Sequence, residues 1–389
     1  MQNNHLLGVY GSRDLTIARG QGSYIWDTEG HRYLDCVSGV AVNALGHSAS
    51  VVVDAIRAQT EQFIHASNLY VLPSQKALAE KLAELSGFDA VFFSNSGAEA
   101  NEGAFKFARH YFVAAGNPER CEVVSFTNSF HGRTYAAMAA TGQDKIRLGF
   151  GPLPPGFVTV PVNDAAGLRK AIGPKTAAVI YECVLAEGGV IDLSPEIAEV
   201  LREVQAQGVL LIADEIQTGL WRTGTFLASE GLGLKPDLVT LAKPLGGGLP
   251  LGAVLVSAKI AAALKAGDHG STFGGNPVSC AAGLAVLKVL SDPAFIKDMN
   301  ERSAFLRKEL QALIETKAAA GINIGPMSGK GFLIGIQWGG DVIALQKKLR
   351  DEGVLAHRAG ASVLRLLPPL NISREEIKEL LGAMERALA

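Results

Sequence analysis

The chain has little that would commit it to an extracellular, membrane or nucleic-acid setting. Only 4 of its 389 residues are cysteine, at positions 36, 121, 183 and 280, and none forms a C-x-x-C pair. That spacing argues against a zinc knuckle or a disulfide framework, and it suits a reducing compartment. Neither charge sign is in excess: Lys plus Arg is 36 against Asp plus Glu 38, a net charge of -2. No polybasic surface for nucleic acid or anionic lipid is therefore expected. No uninterrupted apolar run is long enough to span a bilayer, and the opening MQNNHLLGVYGSRD has no basic segment followed by an apolar one. A soluble cytoplasmic protein, with no membrane and no nucleic-acid partner, is the expectation. The G-x-G-x-x-G fingerprint and the P-loop order are missing too, which leaves nucleotide binding without a motif and makes a dehydrogenase remote.

What the chain does have is apolar residues and glycine. Hydrophobic residues make up 48% and charged residues 19%, enough to bury a sizeable core and to exclude disorder as the dominant state. The length is comfortable for two domains. The 44 glycines suggest tight turns and close approach of backbone to a ligand.

Short runs that are apolar on both faces recur at 90–94, 122–126, 177–181, 209–213, 238–242 and 252–256. Such runs suit the strands of a helix-covered parallel sheet. Helical spacing between them, as at 97–115 and 194–207, predicts an α/β domain over 51–280. After Pro277 the pattern changes to a long helix at 279–316, strands at 331–338 and 363–367, and helices at 342–352 and 373–388. These form a smaller α+β domain over 281–389. Residues 1–50, with a hairpin turn at 28–30, are assigned to packing with the small domain.

Two ionisable residues end apolar runs: Asp214 after VLLIA and Lys243 after LVTLA. In a parallel sheet the carboxyl ends of the strands border the ligand crevice. A structural ion pair is the plainer explanation of that feature alone. Ser96 and Glu99 have capping-box spacing in NSGAEAN, and free amides at such a helix start suit a phosphate. NSFHGRT places Phe130, His131 and Arg133 just past another strand. Phe130 suits stacking on a flat ring and Arg133 forking onto a carboxylate, whereas a lone histidine is more often packed or hydrogen-bonded. Phosphate, aromatic ring and a ring nitrogen wanting an anion together describe pyridoxal phosphate, with Lys243 as covalent anchor and base.

At this point the chain resembles the class III, fold-type I aminotransferases, and among them the acetylornithine aminotransferases. YLDCVSGVAVNALGH, SNLY, NSGAEAN, FHGRT, DEIQTGLWRTG, KPLGGGLPLGA, HGSTFGGNP and LRLLPPL occur in family order over essentially the whole chain. The resemblance implies a mostly parallel central sheet in a large cofactor-binding domain. It implies pyridoxal 5'-phosphate held by Ser96, Gly97, Ala98, Phe130, Asp214, Ile216, Gln217 and Lys243, with no metal. Thr272 is expected to reach the cofactor phosphate of a neighbouring subunit, making a homodimer with shared active sites. Substrate contacts fall to Arg133, Glu187, Arg365, Asn68 and Tyr10, with Glu187 covering Arg365 in the half-reaction that does not use it. The implied reaction moves the ω-amino group of N-acetylornithine to 2-oxoglutarate, as in arginine biosynthesis. The first alternative is another enzyme of the same fold, with succinylornithine, ornithine or 4-aminobutyrate as donor, or an aminomutase or racemase. The second is a catalytically silent protein of that fold acting as a binding or regulatory subunit.

Departures from the family pattern bear on substrate. Ser48, Ala49 and Ser50 follow Gly46-His47, where the family usually reads GHxHP. Cys183, Leu185 and Ala186 replace a proline, a glutamine and a glycine around the gate. Pro244 follows the lysine, and Trp221 stands where glycine precedes RTG, close to the pocket or the subunit contact on this reading. Val40 and Val71 occupy the positions of two tyrosines in the branch acting on free ornithine, which favours an acylated α-amine.

Overall fold

The apolar runs of the middle of the chain gather into one seven-stranded sheet. The structure is a computed structural model that describes residues 5–10 and 14–389. Across the sheet the strands are Ala90–Ser94, Gly252–Val256, Leu238–Leu241, Leu210–Asp214, Thr176–Tyr181, Glu122–Phe126 and Phe157–Val160. From Leu238–Leu241 to Phe157–Val160 every neighbouring pair is parallel. Gly252–Val256 runs antiparallel to both neighbours, against the expectation of a parallel run there. The reason is the connection. Leu241 reaches Gly252 through a 3-10 turn at Lys243–Gly246, too short for the helical crossover that a parallel pair needs.

Both faces are covered, which is why the central strands carry no polar alternation. All residues of Thr176–Tyr181, Leu210–Asp214, Leu238–Leu241 and Gly252–Val256 are buried. Helix Gly97–Ala114 lays Ala104, Phe105 and Ala108 into one cluster with Ile180, Ile212 and Val254. Helix Pro195–Ala206 lays Ile197, Leu201 and Val204 into another with Leu211 and Val239. Each such branched or aromatic side chain contributes about 1.5–3 kcal/mol by leaving water. Phe157–Val160 is missing from the sequence reading because it is short and only partly buried.

The remaining sheets are smaller. Ile17–Gln21, Tyr24–Asp27 and Arg32–Asp35 form an antiparallel set, and Arg32–Asp35 also pairs in parallel with Val354–Leu355. The opening segment thus shares a sheet with the C-terminal part of the chain, and the Tyr24 hydroxyl donates to Glu379 at 2.8 Å. Ile324–Ser328, Ile334–Trp338, Val363–Leu366 and His357–Ala359 form a second antiparallel sheet. The helical pattern at 279–316 is two helices, Pro277–Leu290 and Pro293–Ala319. Asp292 accepts the Ala294 and Phe295 amides as N-cap, and Pro293 has no N–H with which to continue the first helix. Among the described residues, no single helix is long and apolar enough to cross a membrane.

The parallel strands bring Phe126, Tyr181, Asp214 and Leu241 out at one edge of the sheet, so the residues that follow them converge there. The antiparallel strand begins at that same edge. A Cβ on Gly252 would stand 2.4 Å from the Ser96 carbonyl oxygen and 2.5 Å from Ser94 Oγ. Gly252→Ala is expected to cost about 1–3 kcal/mol by overpacking and to lower the thermal midpoint, measurable by calorimetry.

Candidate active site

Strand Ala90–Ser94 hands over to helix Gly97–Ala114 through Asn95 and Ser96. Ser96 Oγ accepts the Glu99 amide at 3.2 Å, the capping half that the sequence predicts. The Glu99 carboxylate reaches one residue further back than a capping box would take it, accepting Asn95 N at 3.0 Å and Asn95 Nδ2 at 2.7 Å. The first helical hydrogen bond to the backbone is from Ala100 to the Ser96 carbonyl, so the Gly97 and Ala98 amides precede it and face the end of the helix. The FHGRT loop packs directly on this turn. Gly132 has φ +136°, and a Cβ there would lie 2.7 Å from that of Ala98, so only glycine suits both the conformation and the contact.

Around this turn lies a cavity of about 440 Å³, in the range of small-molecule sites. Ser96, Gly97, Ala98, Phe130, Arg133, Asp214, Ile216, Gln217 and Lys243 all line it. Asp214 is buried at the end of its strand. Its Oδ2 accepts Asn101 Nδ2 at 2.8 Å and lies 2.8 Å from His131 Nδ1, while Oδ1 accepts the Ile216 amide at 3.2 Å. Asn101 is itself oriented: its Oδ1 accepts Thr240 Oγ1 at 2.8 Å and its Nδ2 also donates to the His131 carbonyl. Asn101 and Thr240 went unread in the sequence, although Asn101 sits inside NSGAEAN; their role depends on contacts across the sheet. His131 is the hydrogen-bonded histidine that the plainer reading expected.

Lys243 stands beside them with φ +36°, a left-handed backbone value that a residue with a Cβ adopts at a cost. Burial pulls its amine down to about 8; the Glu187 and Asp214 carboxylates push the other way, and Arg365 adds to the lowering. Arg365 is buried on strand Val363–Leu366. Its Nη1 donates to Glu187 Oε1 at 2.6 Å, the Ala186 carbonyl at 3.0 Å and Gln217 Oε1 at 3.1 Å. Its Nε and Nη2 are buried without a partner among the described residues. Gln217 Nε2 donates to Glu187 at 3.2 Å. Burial pushes the Glu187 carboxyl up, but Arg365, Lys243 and the Arg365 and Gln217 hydrogen bonds outweigh it and hold it down at about 2. Arg133 is exposed, its guanidinium 5.9 Å from the centre of the Phe130 ring.

Five expected residues are absent from the lining of this cavity: Glu187 and Arg365, which reach it through Gln217, and Thr272, Asn68 and Tyr10. Thr272 is exposed and absent from its lining. Asn68 Nδ2 donates to the Ser271 and Gly274 carbonyls at 2.9 and 3.0 Å, and its Oδ1 accepts Gln75 Nε2 at 2.7 Å. Its side chain is therefore occupied in holding the loop that carries Thr272. Tyr10 lies on an exposed turn at Gly8–Tyr10. Trp221 does not crowd the cavity: it is buried against Phe226, ring centres 5.0 Å apart, at φ +63°.

Comparison with known proteins agrees with this architecture. The family model for class-III aminotransferases matches residues 9–388, and the chain belongs to that family. Among curated relatives, acetylornithine aminotransferase 1 of Bradyrhizobium diazoefficiens is 44% identical over 99% of this chain and 95% of its own. Acetylornithine aminotransferase of Bacillus subtilis is 43% identical over 99% and 97%. The crystal structure of ornithine aminotransferase from Toxoplasma gondii superposes with a TM-score of 0.92 at 31% identity, covering 100% of this chain and 92% of that one. A pyridoxal-phosphate-bound amine transaminase from an uncultivated Pseudomonas species gives 0.91 at 31% identity, covering 100% and 97%.

The protein is thus a pyridoxal-phosphate-dependent aminotransferase, taking an amino donor and a keto acid. The cavity fits that cofactor chemically: helix-start amides for a phosphate, an aromatic and an aliphatic wall for a flat ring, a buried carboxylate and a lysine amine. The neutral amine is the form that attacks an aldehyde. With Lys243 at about 8, the rate at which apoprotein takes up pyridoxal phosphate covalently is expected to rise with pH and level off above about 8. Stopped-flow absorbance across pH 6–10 measures it; a rise continuing toward the pKa of a free lysine would show that burial does not tune the amine.

Proposed function

We propose that the protein transfers the ω-amino group of N-acetylornithine to 2-oxoglutarate, giving N-acetylglutamate semialdehyde and glutamate, a step of arginine biosynthesis. The observation that carries this reading is the Arg365–Glu187–Gln217 contact beside Asp214 and Lys243. A buried guanidinium with two unpartnered nitrogens suits a carboxylate, and a carboxylate already on its third nitrogen can cover it when the substrate has none to offer there. Relatives named as acetylornithine aminotransferases, 40–44% identical over nearly the whole chain, support the donor. So do Val40 and Val71, which bring no hydroxyl to a free α-ammonium.

In this reading the Gly97 and Ala98 amides and Ser96 hold the cofactor phosphate, while Phe130 and Ile216 enclose its ring. Bound pyridoxal phosphate supplies an electron sink for the pair left when the amine-bearing carbon loses its proton. Lys243 takes that proton and returns it on the other side of the transfer, for which an amine near the working pH is suited. Asp214, held by His131 and Asn101, keeps a proton on the ring nitrogen. Gln217 sits by the ring hydroxyl, Arg133 holds the distal carboxylate of the donor, and Arg365 binds the α-carboxylate of 2-oxoglutarate.

A homodimer completes the site. Ile64, Leu69, Tyr70, Val71 and Phe273 are exposed, and Asn68 and the Ile64 carbonyl tie their segment to the 271–276 loop, an apolar surface suited to a second copy. There Thr272 contributes to the neighbouring phosphate site, and Asn68 serves it indirectly by fixing the loop. A cytoplasmic setting follows from the biosynthetic role.

The test is an absorbance spectrum of the holoprotein, with N-acetylornithine added before any keto acid. Loss of the lysine-bound cofactor band and growth of the pyridoxamine band are expected, and 2-oxoglutarate is expected to reverse them. A band that N-acetylornithine leaves unchanged but ornithine or 4-aminobutyrate discharges would overturn the donor assignment. For the gate, Glu187→Gln is expected to slow the N-acetylornithine half-reaction about 10-fold or more relative to the glutamate half-reaction, the loss of one charged partner from a buried pair. Single-turnover kinetics of the two halves measures the ratio.

A further inference from the structure

Glu182 is a buried acid on the cavity wall to which the reaction as described gives no task. It follows strand Thr176–Tyr181 directly, is 5% exposed, and lines the cavity beside Asp214 and Lys243. Its Oε1 accepts the backbone amide of Phe130 at 2.8 Å. Four residues on, the Ala186 carbonyl accepts Arg365, and Glu187 follows. Glu182 therefore stands between the loop that presents the Phe130 ring and the segment that covers Arg365.

Two carboxylates in one buried cavity do not both ionise cheaply, and the better-solvated one keeps the charge. Asp214 has the Asn101 amide, the Ile216 amide and His131 around it. Among the described residues Glu182 has no ion pair. Burial first and Asp214 second push its carboxyl well above the ordinary range, against the Phe130 and Ala186 amides and Lys243. Of the other charged groups near this part of the cavity, Glu187 and Arg365 are paired with each other, and the exposed Arg133 lines the same cavity.

We propose that Glu182 is a positioning residue that works as a neutral carboxylic acid, fixing the Phe130 backbone over the cofactor cavity while leaving the negative charge on Asp214. The proposal rests on the reading that Phe130 encloses the cofactor ring. A neutral acid is suited to the task because it accepts an amide hydrogen bond without competing with Asp214 for the ring-nitrogen proton. An ionised one would place a second anion next to Lys243, push its amine pKa up and slow its return to the free-base form.

The variants Glu182→Gln and Glu182→Ala separate these roles. Glutamine keeps the accepting oxygen and the neutral charge; alanine removes the acceptor and strands the Phe130 amide. E182Q is expected to hold pyridoxal phosphate within about 3-fold of wild type, with unchanged visible circular dichroism of the bound cofactor. E182A is expected to lose about 10-fold in cofactor affinity, the stacking contact forfeited when the Phe130 ring is no longer held over the cavity, and to lose nothing further in a Phe130→Ala background. Infrared difference spectra between wild type and E182Q are expected to show a protonated-carboxyl stretch in wild type that the variant lacks. Equal losses in E182Q and E182A, wild-type affinity in E182A, additive losses with Phe130→Ala, or an infrared carboxylate in place of the acid would each overturn the proposal. If E182A does not fold, E182Q and the infrared band decide it alone. A wild-type protein that binds no pyridoxal phosphate would overturn the cofactor reading and this proposal with it. Intact wild-type binding alongside any of the other adverse outcomes would overturn the proposal alone.

Discussion

The structure depends on keeping one carboxylate charged at the edge of a buried sheet. Asp214 and Thr240 are register partners on adjacent parallel strands, so Lys243, three residues past Thr240, is delivered to the same rim. An unsupported anion there would cost far more than any single contact returns. The chain meets that cost with donors from four separate segments, Asn101, His131, Ile216 and, through Asn101, Thr240. The helix from Gly97, the loop after Phe126 and the strand carrying Thr240 are thereby tied to one atom group. Phe130, Ile216, Gln217 and Lys243 line the same cavity around it.

The same electrostatic logic governs the Arg365–Glu187 pair, which touches the cavity through Gln217. Arg365 is buried with one nitrogen paired and two without a partner among the described residues, an arrangement stable enough to fold and incomplete enough to bind. Glu187 stays ionised well below neutral pH because Arg365 and Lys243 more than offset its burial. The altered residues around it have not loosened it. Val184–Leu185 pairs with Ile191–Asp192, and Val184 and Ala186 pack with Val40, Val190, Leu333 and Val363 in an apolar cluster of their own.

Much of this was legible in the chain because the central strands are covered on both faces. Apolar runs without alternation, punctuated by Asp214 and Lys243, announce a buried sheet with charges at its rim. Less visible was whatever depends on contacts across the sheet. Asn101 and Thr240 are ordinary polar residues until residues 101, 131, 214 and 240 meet. Glu182 reads as the first letter of a modified gate motif until its carboxyl is seen on the Phe130 amide. Asn68 looks free to face substrate, yet its amide is consumed by the 271–274 loop. Local signals failed where they were short or mixed: Ile324–Ser328 carries both Gly and Pro, and the break before Pro293 lies inside an otherwise continuous helical pattern.

Lys243 sits at φ +36°, where glycine would rest without strain and a longer side chain costs about 1–3 kcal/mol. Burying its amine adds to that penalty, as the fall to about 8 records. Lys243 is thus a local weak point of the fold, held in place by the elements packed around it. On the proposed role of Lys243, a descendant that lost the reaction would be released from this backbone strain by exchanging the lysine for glycine. Activity and robustness oppose each other at this one backbone position.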